Sequence, residues 1–103
     1  MKQIYNKLVR DKIPEIIKER GENPVIEILN EEQYKKELDI KLLEEVNEYL
    51  KDDNNEEIAD VLEVIMAILE YKNVSFEDIE KTMQEKRIKK GGFKNKIFLK
   101  KVE

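Results

Sequence analysis

Two pairs of acids carry the most legible chemistry in this chain. Glu45-x-x-Glu48 and Glu57-x-x-Asp60 are each spaced i, i+3, which puts both members of a pair on one helix face. The pairs mirror each other about the stretch "DDNN" at 52–55, a turn signature. If that turn joins antiparallel helices, Glu48 lies across from Glu57 and Glu45 across from Asp60. Four converging carboxylates repel unless a positive charge sits among them. A hard divalent cation with oxygen ligands, Mg²⁺ or Mn²⁺, is the natural partner. Glu44 and Glu63 flank the set and are candidates for orienting it or touching a substrate. The competing reading is solvation. With 24 acids in 103 residues, such pairs also arise as the wet faces of two helices.

The counter-charge lies elsewhere in the chain. Residues 44–63 hold nine acids and one lysine, whereas residues 86–102 hold eight Lys or Arg and no acid. Such a chain can hold a cation in one region and phosphate in another. Lys86, Arg87 and Lys90 share one side of a helix end, and Gly91-Gly92 would let the backbone approach a phosphate closely. Lysines near a helix C-terminus also simply complement its dipole. Lys7, Arg10 and Lys12 form a second basic group. It is read either as a contact to substrate or a neighbouring subunit, or as solvation with a salt bridge to Asp11. Phe93 and Phe98 interleave with lysines, but packing explains them better than nucleic-acid stacking. A net charge of −4 argues against a dedicated nucleic-acid binder. Tyr5, Tyr34, Tyr49 and Tyr71 include candidates for stacking on a base.

The elements that must position these groups read as helices. "DKIPEIIKER" is a first helix, with Asp11 as its cap, Pro14 in its first turn and Gly21 at its end. Asn30, with Gln33 at the capping-box position, starts a second that runs to about Lys51. Asn55 is the expected cap of a third, from 56 to about 72, and Ser75 caps a fourth that Gly91-Gly92 stops. "NPVIEIL" at 23–29 alternates and is β-branched, so a short strand is expected there, paired with "KIFLKKV" at 96–102. The third helix is apolar on most sides, at Ile58, Val61, Leu62, Val64, Ile65, Met66, Ile68 and Leu69. Such a helix is buried, and a chain of 103 residues has too few elements to surround it. An oligomer of helix bundles is the expected answer, with the acidic stripe lining a cleft.

Composition narrows the classes. Charged residues make up 43% and aromatics 7%, the profile of one small helical domain spanning 1–103. There is no cysteine and no histidine, which excludes disulfides, thiolate chemistry, a histidine base and histidine ligands. "VIMAIL", the longest uncharged run of the apolar helix, is far too short to span a membrane. No secretory signal pattern opens the sequence, so a cytoplasmic location is the default.

"YNKLVRDKIPEII" (5–17), "KLLEEVNE" (41–48), "EEIADVLEVIMAI" (56–68) and "EKRIKKGGFKNKI" (85–97) together resemble the MazG-like nucleoside triphosphate pyrophosphohydrolases. These belong to an all-α group that includes phosphoribosyl-ATP pyrophosphohydrolase and the dimeric dUTPases. The resemblance covers nearly the whole chain, in order. It implies an all-α, four-helix bundle-like fold with a small β element, assembled as a dimer or tetramer. It implies Mg²⁺, which Mn²⁺ can replace, on Glu45, Glu48, Glu57 and Asp60. The implied reaction splits a nucleoside triphosphate between its α- and β-phosphates into the monophosphate and pyrophosphate. Only eight residues separate Glu48 from Glu57, fewer than in many relatives, which puts contacts to the base in doubt.

The reaction needs a base and charge neutralisation at phosphorus. Without histidine the base is a carboxylate or a hydroxide on the metal, and the resemblance points to Glu45. Lys86, Arg87, Lys90, Lys7, Arg10 and Glu44 are the expected substrate contacts. The leading expectation is therefore an Mg²⁺-dependent pyrophosphohydrolase, with house-cleaning of noncanonical dNTPs as its role. Two alternatives stand beside it. One is a non-enzymatic helical oligomer that binds a partner or metal. The other is a phosphoribosyl-ATP pyrophosphohydrolase, from which the "KLVRDKIP" and "GGF" flanks point away.

Overall fold

The computed structural model describes residues 3–103. Its helices are α1 (Ile13–Glu19), α2 (Glu31–Asp52), α3 (Asn55–Lys72) and α4 (Phe76–Lys90). The long pair begins where the side chains dictate. Asn30 accepts from the Gln33 backbone N–H at 2.9 Å, and its own N–H donates to the Gln33 side chain at 3.2 Å. Two orphan donors are thereby satisfied at once. The α3 cap is Asn54, one residue before the expected Asn55, and it accepts from the Glu57 N–H at 2.9 Å. Ser75 caps α4. The expected Asp11 cap is absent: Lys12 occupies the N-cap position of α1 without a side-chain hydrogen bond, and Pro14 sits in the first turn.

Asp53 adopts a left-handed conformation (φ 48°) between α2 and α3, which reverses the chain in two residues. The two helices pack along one another as an antiparallel hairpin, the principal helix-on-helix contact among the described residues. The core is the seam between them: Leu38, Val64 and Leu69 are buried. Tyr34 meets Tyr71 edge-on, ring centres 6.0 Å apart.

Two expectations are corrected. Neither 23–29 nor 96–102 forms a strand, and there is no strand among the described residues. Val25, Ile28, Ile97 and Phe98 are all exposed. A β-prone segment without a neighbour cannot satisfy its ladder hydrogen bonds, so propensity alone does not make a strand. The helices also do not close into a bundle within one chain. The described residues extend over 61 × 31 × 24 Å. α2 itself accounts for about 33 Å at 1.5 Å per residue, so other segments project beyond the hairpin. α4 buries no residue and stops at Gly91, whose φ of 87° suits glycine. No helix is long and apolar enough to cross a membrane.

Candidate metal and phosphate site

The hairpin brings the acids together. Carboxylate oxygens of Glu45, Glu57 and Asp60 lie within 4.8 Å of one another, and those of Glu48, Asp52 and Glu57 do the same. Glu57 belongs to both sets. The mirrored acids thus meet across the turn as two overlapping triads that share Glu57, and the expected single set of four does not form: Glu48 groups with Asp52 and Glu57, apart from Glu45 and Asp60. Crowding is felt at Glu57. Partial removal from water, then the charges of Asp60, Asp52, Glu48 and Glu45, push its carboxyl above the ordinary glutamate value.

Cations from two other places reach this surface. The Arg10 guanidinium donates to Asp60 Oδ1 at 2.8 Å. Lys7 Nζ donates to Glu44 Oε1 at 3.2 Å. Lys41 Nζ lies 3.3 Å from Glu44 and 3.3 Å from Glu45. Burial by itself would raise the Glu44 carboxyl, but the hydrogen bonds from Lys7 and Lys41 outweigh it and hold the group below its usual value. The N-terminal segment thus lies against the hairpin through Lys7 and Arg10, whose partners are Glu44 and Asp60; Asp11, the alternative salt-bridge partner, is in none of the ion pairs among the described residues.

Beside the acids is a cavity of about 380 Å³, near the lower end for small-molecule sites. Glu45, Asp60, Glu63, Arg10 and Asp11 supply its charged lining, and Tyr34, Leu38 and Val64 are among its apolar lining. Burial, followed by the charges of Glu70, Asp11 and Glu31, raises the Tyr34 hydroxyl above its ordinary value.

Lys86, Arg87 and Lys90 are not part of this arrangement. They line a separate depression with Gly91, Gly92 and Phe93. None of the ion pairs among the described residues includes them. Two contributors were not singled out from sequence, Asp52 and Lys41. Both carried a signal: Asp52 follows Glu48 by four residues and Lys41 precedes Glu45 by four, the spacing of helix neighbours.

Comparison with known proteins gives the frame. The chain is 34% identical to a phosphoribosyl-ATP pyrophosphatase of Clostridium acetobutylicum over 92 aligned positions, covering 79% of this chain and 83% of that protein. The chain belongs to the phosphoribosyl-ATP pyrophosphatase superfamily. It is also 54% identical over 41 residues to an uncharacterized protein of Mycolicibacterium smegmatis, covering 40% of this chain and 42% of that one. No family profile and no solved structure matches. Membership suggests a pyrophosphohydrolase. The donor chemistry of the acidic set fits the divalent metal such enzymes use: all its donors are hard carboxylate oxygens, gathered within 4.8 Å of one another.

Proposed function

We propose that this chain is a divalent-metal-dependent pyrophosphohydrolase of the MazG-like branch, cleaving a nucleoside triphosphate between the α- and β-phosphates. The observation that carries the proposal is the convergence of Glu45, Glu57 and Asp60 within 4.8 Å beside a cavity. Similarity to a named pyrophosphatase supports the reaction class.

Glu45, Glu57 and Asp60 would hold the cation, preferentially Mg²⁺, with Glu48 in the neighbouring triad. When bound, the cation neutralises phosphate oxygens and makes phosphorus more electrophilic. The remaining work falls to the chain. Glu45 is the proton acceptor. Its side chain is 14% exposed, against 39% for Asp60, and Lys41 fixes one of its oxygens. It takes the proton of the water that attacks phosphorus, while the bridging P–O bond breaks and pyrophosphate leaves. Arg10 and Lys7, paired with Asp60 and Glu44, are the cations placed to reach the phosphate chain. Tyr34, Leu38 and Val64 are the apolar wall for the rest of the nucleotide.

The role we assign is removal of noncanonical dNTPs. Phosphoribosyl-ATP is a second substrate candidate, favoured by the name of the Clostridium relative. Pyrophosphate release from a panel of standard and modified dNTPs, NTPs and phosphoribosyl-ATP separates the two. Activity should require Mg²⁺ or Mn²⁺. It should fall by about 100-fold or more in Asp60→Asn, as expected when a metal ligand is lost. Metal-independent release, or an Asp60→Asn variant as active as wild type, would end this reading.

A further inference from the structure

Asp60 has two claimants. Its carboxylate lies within 4.8 Å of those of Glu45 and Glu57, the set proposed above to hold a divalent cation. The same carboxylate is held by a cation of the chain itself, because the Arg10 guanidinium donates to Asp60 Oδ1 at 2.8 Å. That contact is one charge-assisted hydrogen bond through Nη2, not the two-pronged grip a guanidinium can give a carboxylate. The two side chains are 58% and 39% exposed, so the pair is weak enough to exchange for another partner. A guanidinium and a divalent ion on one carboxylate repel each other, so each weakens the hold of the other.

Arg10 belongs to a segment that walls the cavity. Leu8, Val9, Arg10 and Asp11 line it, and residues 3–12 contain no helix or strand to hold them in place. Two ion pairs tie the segment to the hairpin: Arg10 to Asp60, and Lys7 to Glu44 at 3.2 Å. Only the first ends on an acid of the triad, since Glu44 belongs to neither acidic set. We propose that Arg10 is the resident counter-ion of Asp60 and competes with a divalent cation for it, so that filling the acidic triad loosens the N-terminal wall of the cavity. Lys7, paired outside the triad, keeps the segment tethered when the Arg10 contact is lost. The coupling is reciprocal: whatever frees Asp60 from Arg10 tightens the hold on the cation. It rests on the metal site proposed above, and it makes Arg10 a positioning residue that sets the affinity of that site through Asp60.

Calorimetric titration of the full-length chain with Mn²⁺ tests the competition. Arg10→Gln should bind Mn²⁺ about two- to fivefold more tightly than wild type, the size of an exposed ion pair. Arg10→Lys keeps the charge and should return the affinity toward the wild-type value. Lys7→Gln removes the same charge from the same segment but frees Glu44, so it should raise the affinity less than Arg10→Gln does. A second readout follows the wall itself. The chain has no cysteine, so a Leu8→Cys variant reports from the half-buried cavity lining through its rate of thiol labelling. Saturating Mg²⁺ should speed labelling severalfold, and adding Arg10→Gln should do the same without metal. A gain in Lys7→Gln as large as in Arg10→Gln, or labelling that Mg²⁺ leaves unchanged or slows, overturns the proposal. Wild type that takes up no Mn²⁺ would end the metal reading and the competition with it. Uptake by wild type that Arg10→Gln does not strengthen would end the competition alone and leave the hydrolase reading standing.

Discussion

Glu57 and Glu44 stand on the same hairpin and respond to pH in opposite directions. The folded-state pKa of Glu57 is raised by partial removal from water and by four neighbouring acids. Without metal, the native state therefore binds its proton more readily than the unfolded chain. This group lowers stability as pH rises from the ordinary glutamate range through the raised value. Glu57→Gln is expected to raise the metal-free melting temperature at pH 7 and to flatten that part of the pH profile. If the acids hold a metal as proposed, Mg²⁺ should raise the wild-type melting temperature and Glu57→Gln should remove that increase. The pKa of Glu44 is lowered despite burial because Lys7 and Lys41 donate to it. Its contribution is present above the unfolded value and lost as pH falls through the depressed one. Glu44→Gln should cost up to about 1 kcal/mol at pH 7, and nothing once acid has protonated the wild-type group. Denaturant melts at pH 7 and pH 3 measure both. Helical spacing made the acids legible in the sequence. Arg10 was legible as a basic residue but not as the partner of Asp60, because the sequence separation of 50 crosses two helices and a loop that no local pattern fixes.

The elements show where local chemistry is decisive and where it is not. Every helix of the hairpin has an N-cap side chain that accepts from the N3 backbone N–H, and caps are a local signal. The expected α3 cap, Asn55, is nonetheless one residue late, because the adjacent Asn54 suits the position equally well and takes it. Asn54→Ala should cost about 1 kcal/mol, whereas Asn55→Ala, at the first helical position, should be close to neutral. Urea melts of the two variants decide which residue caps α3. The strands at 23–29 and 96–102 failed for a different reason. Alternation and β-branching describe a residue's suitability for a sheet, but a strand exists only with a neighbour at ladder distance. α2 and α3 instead satisfy their backbones internally, so they form wherever caps and propensity allow. The same locality explains why the turn at 52–55 could be placed from sequence while the missing neighbour of 96–102 could not.

At the scale of the molecule the difficulty is the amount of core. Only Leu38, Val64 and Leu69 are buried among the described hydrophobic residues, which is little to set against the conformational entropy of about 100 ordered residues. The all-round apolar character of α3 pointed to this from sequence: Val64 and Leu69 are covered by the hairpin, but Ile58, Leu62 and Met66 remain exposed. If a second copy supplies the cover, folding and association are one equilibrium, and stability depends on chain concentration. For a two-chain native state, a hundredfold dilution removes about 2.7 kcal/mol. That should lower the melting temperature by about 5 to 10 °C for a unit of this size. A chain that folds alone would melt at the same temperature at both concentrations. The shift should shrink in an Ile58→Asp/Leu62→Asp variant if that variant still folds, because those exposed apolar residues of α3 would no longer favour a covering chain. Scanning wild type and variant at two concentrations therefore asks whether the missing core lies in the neighbouring chain.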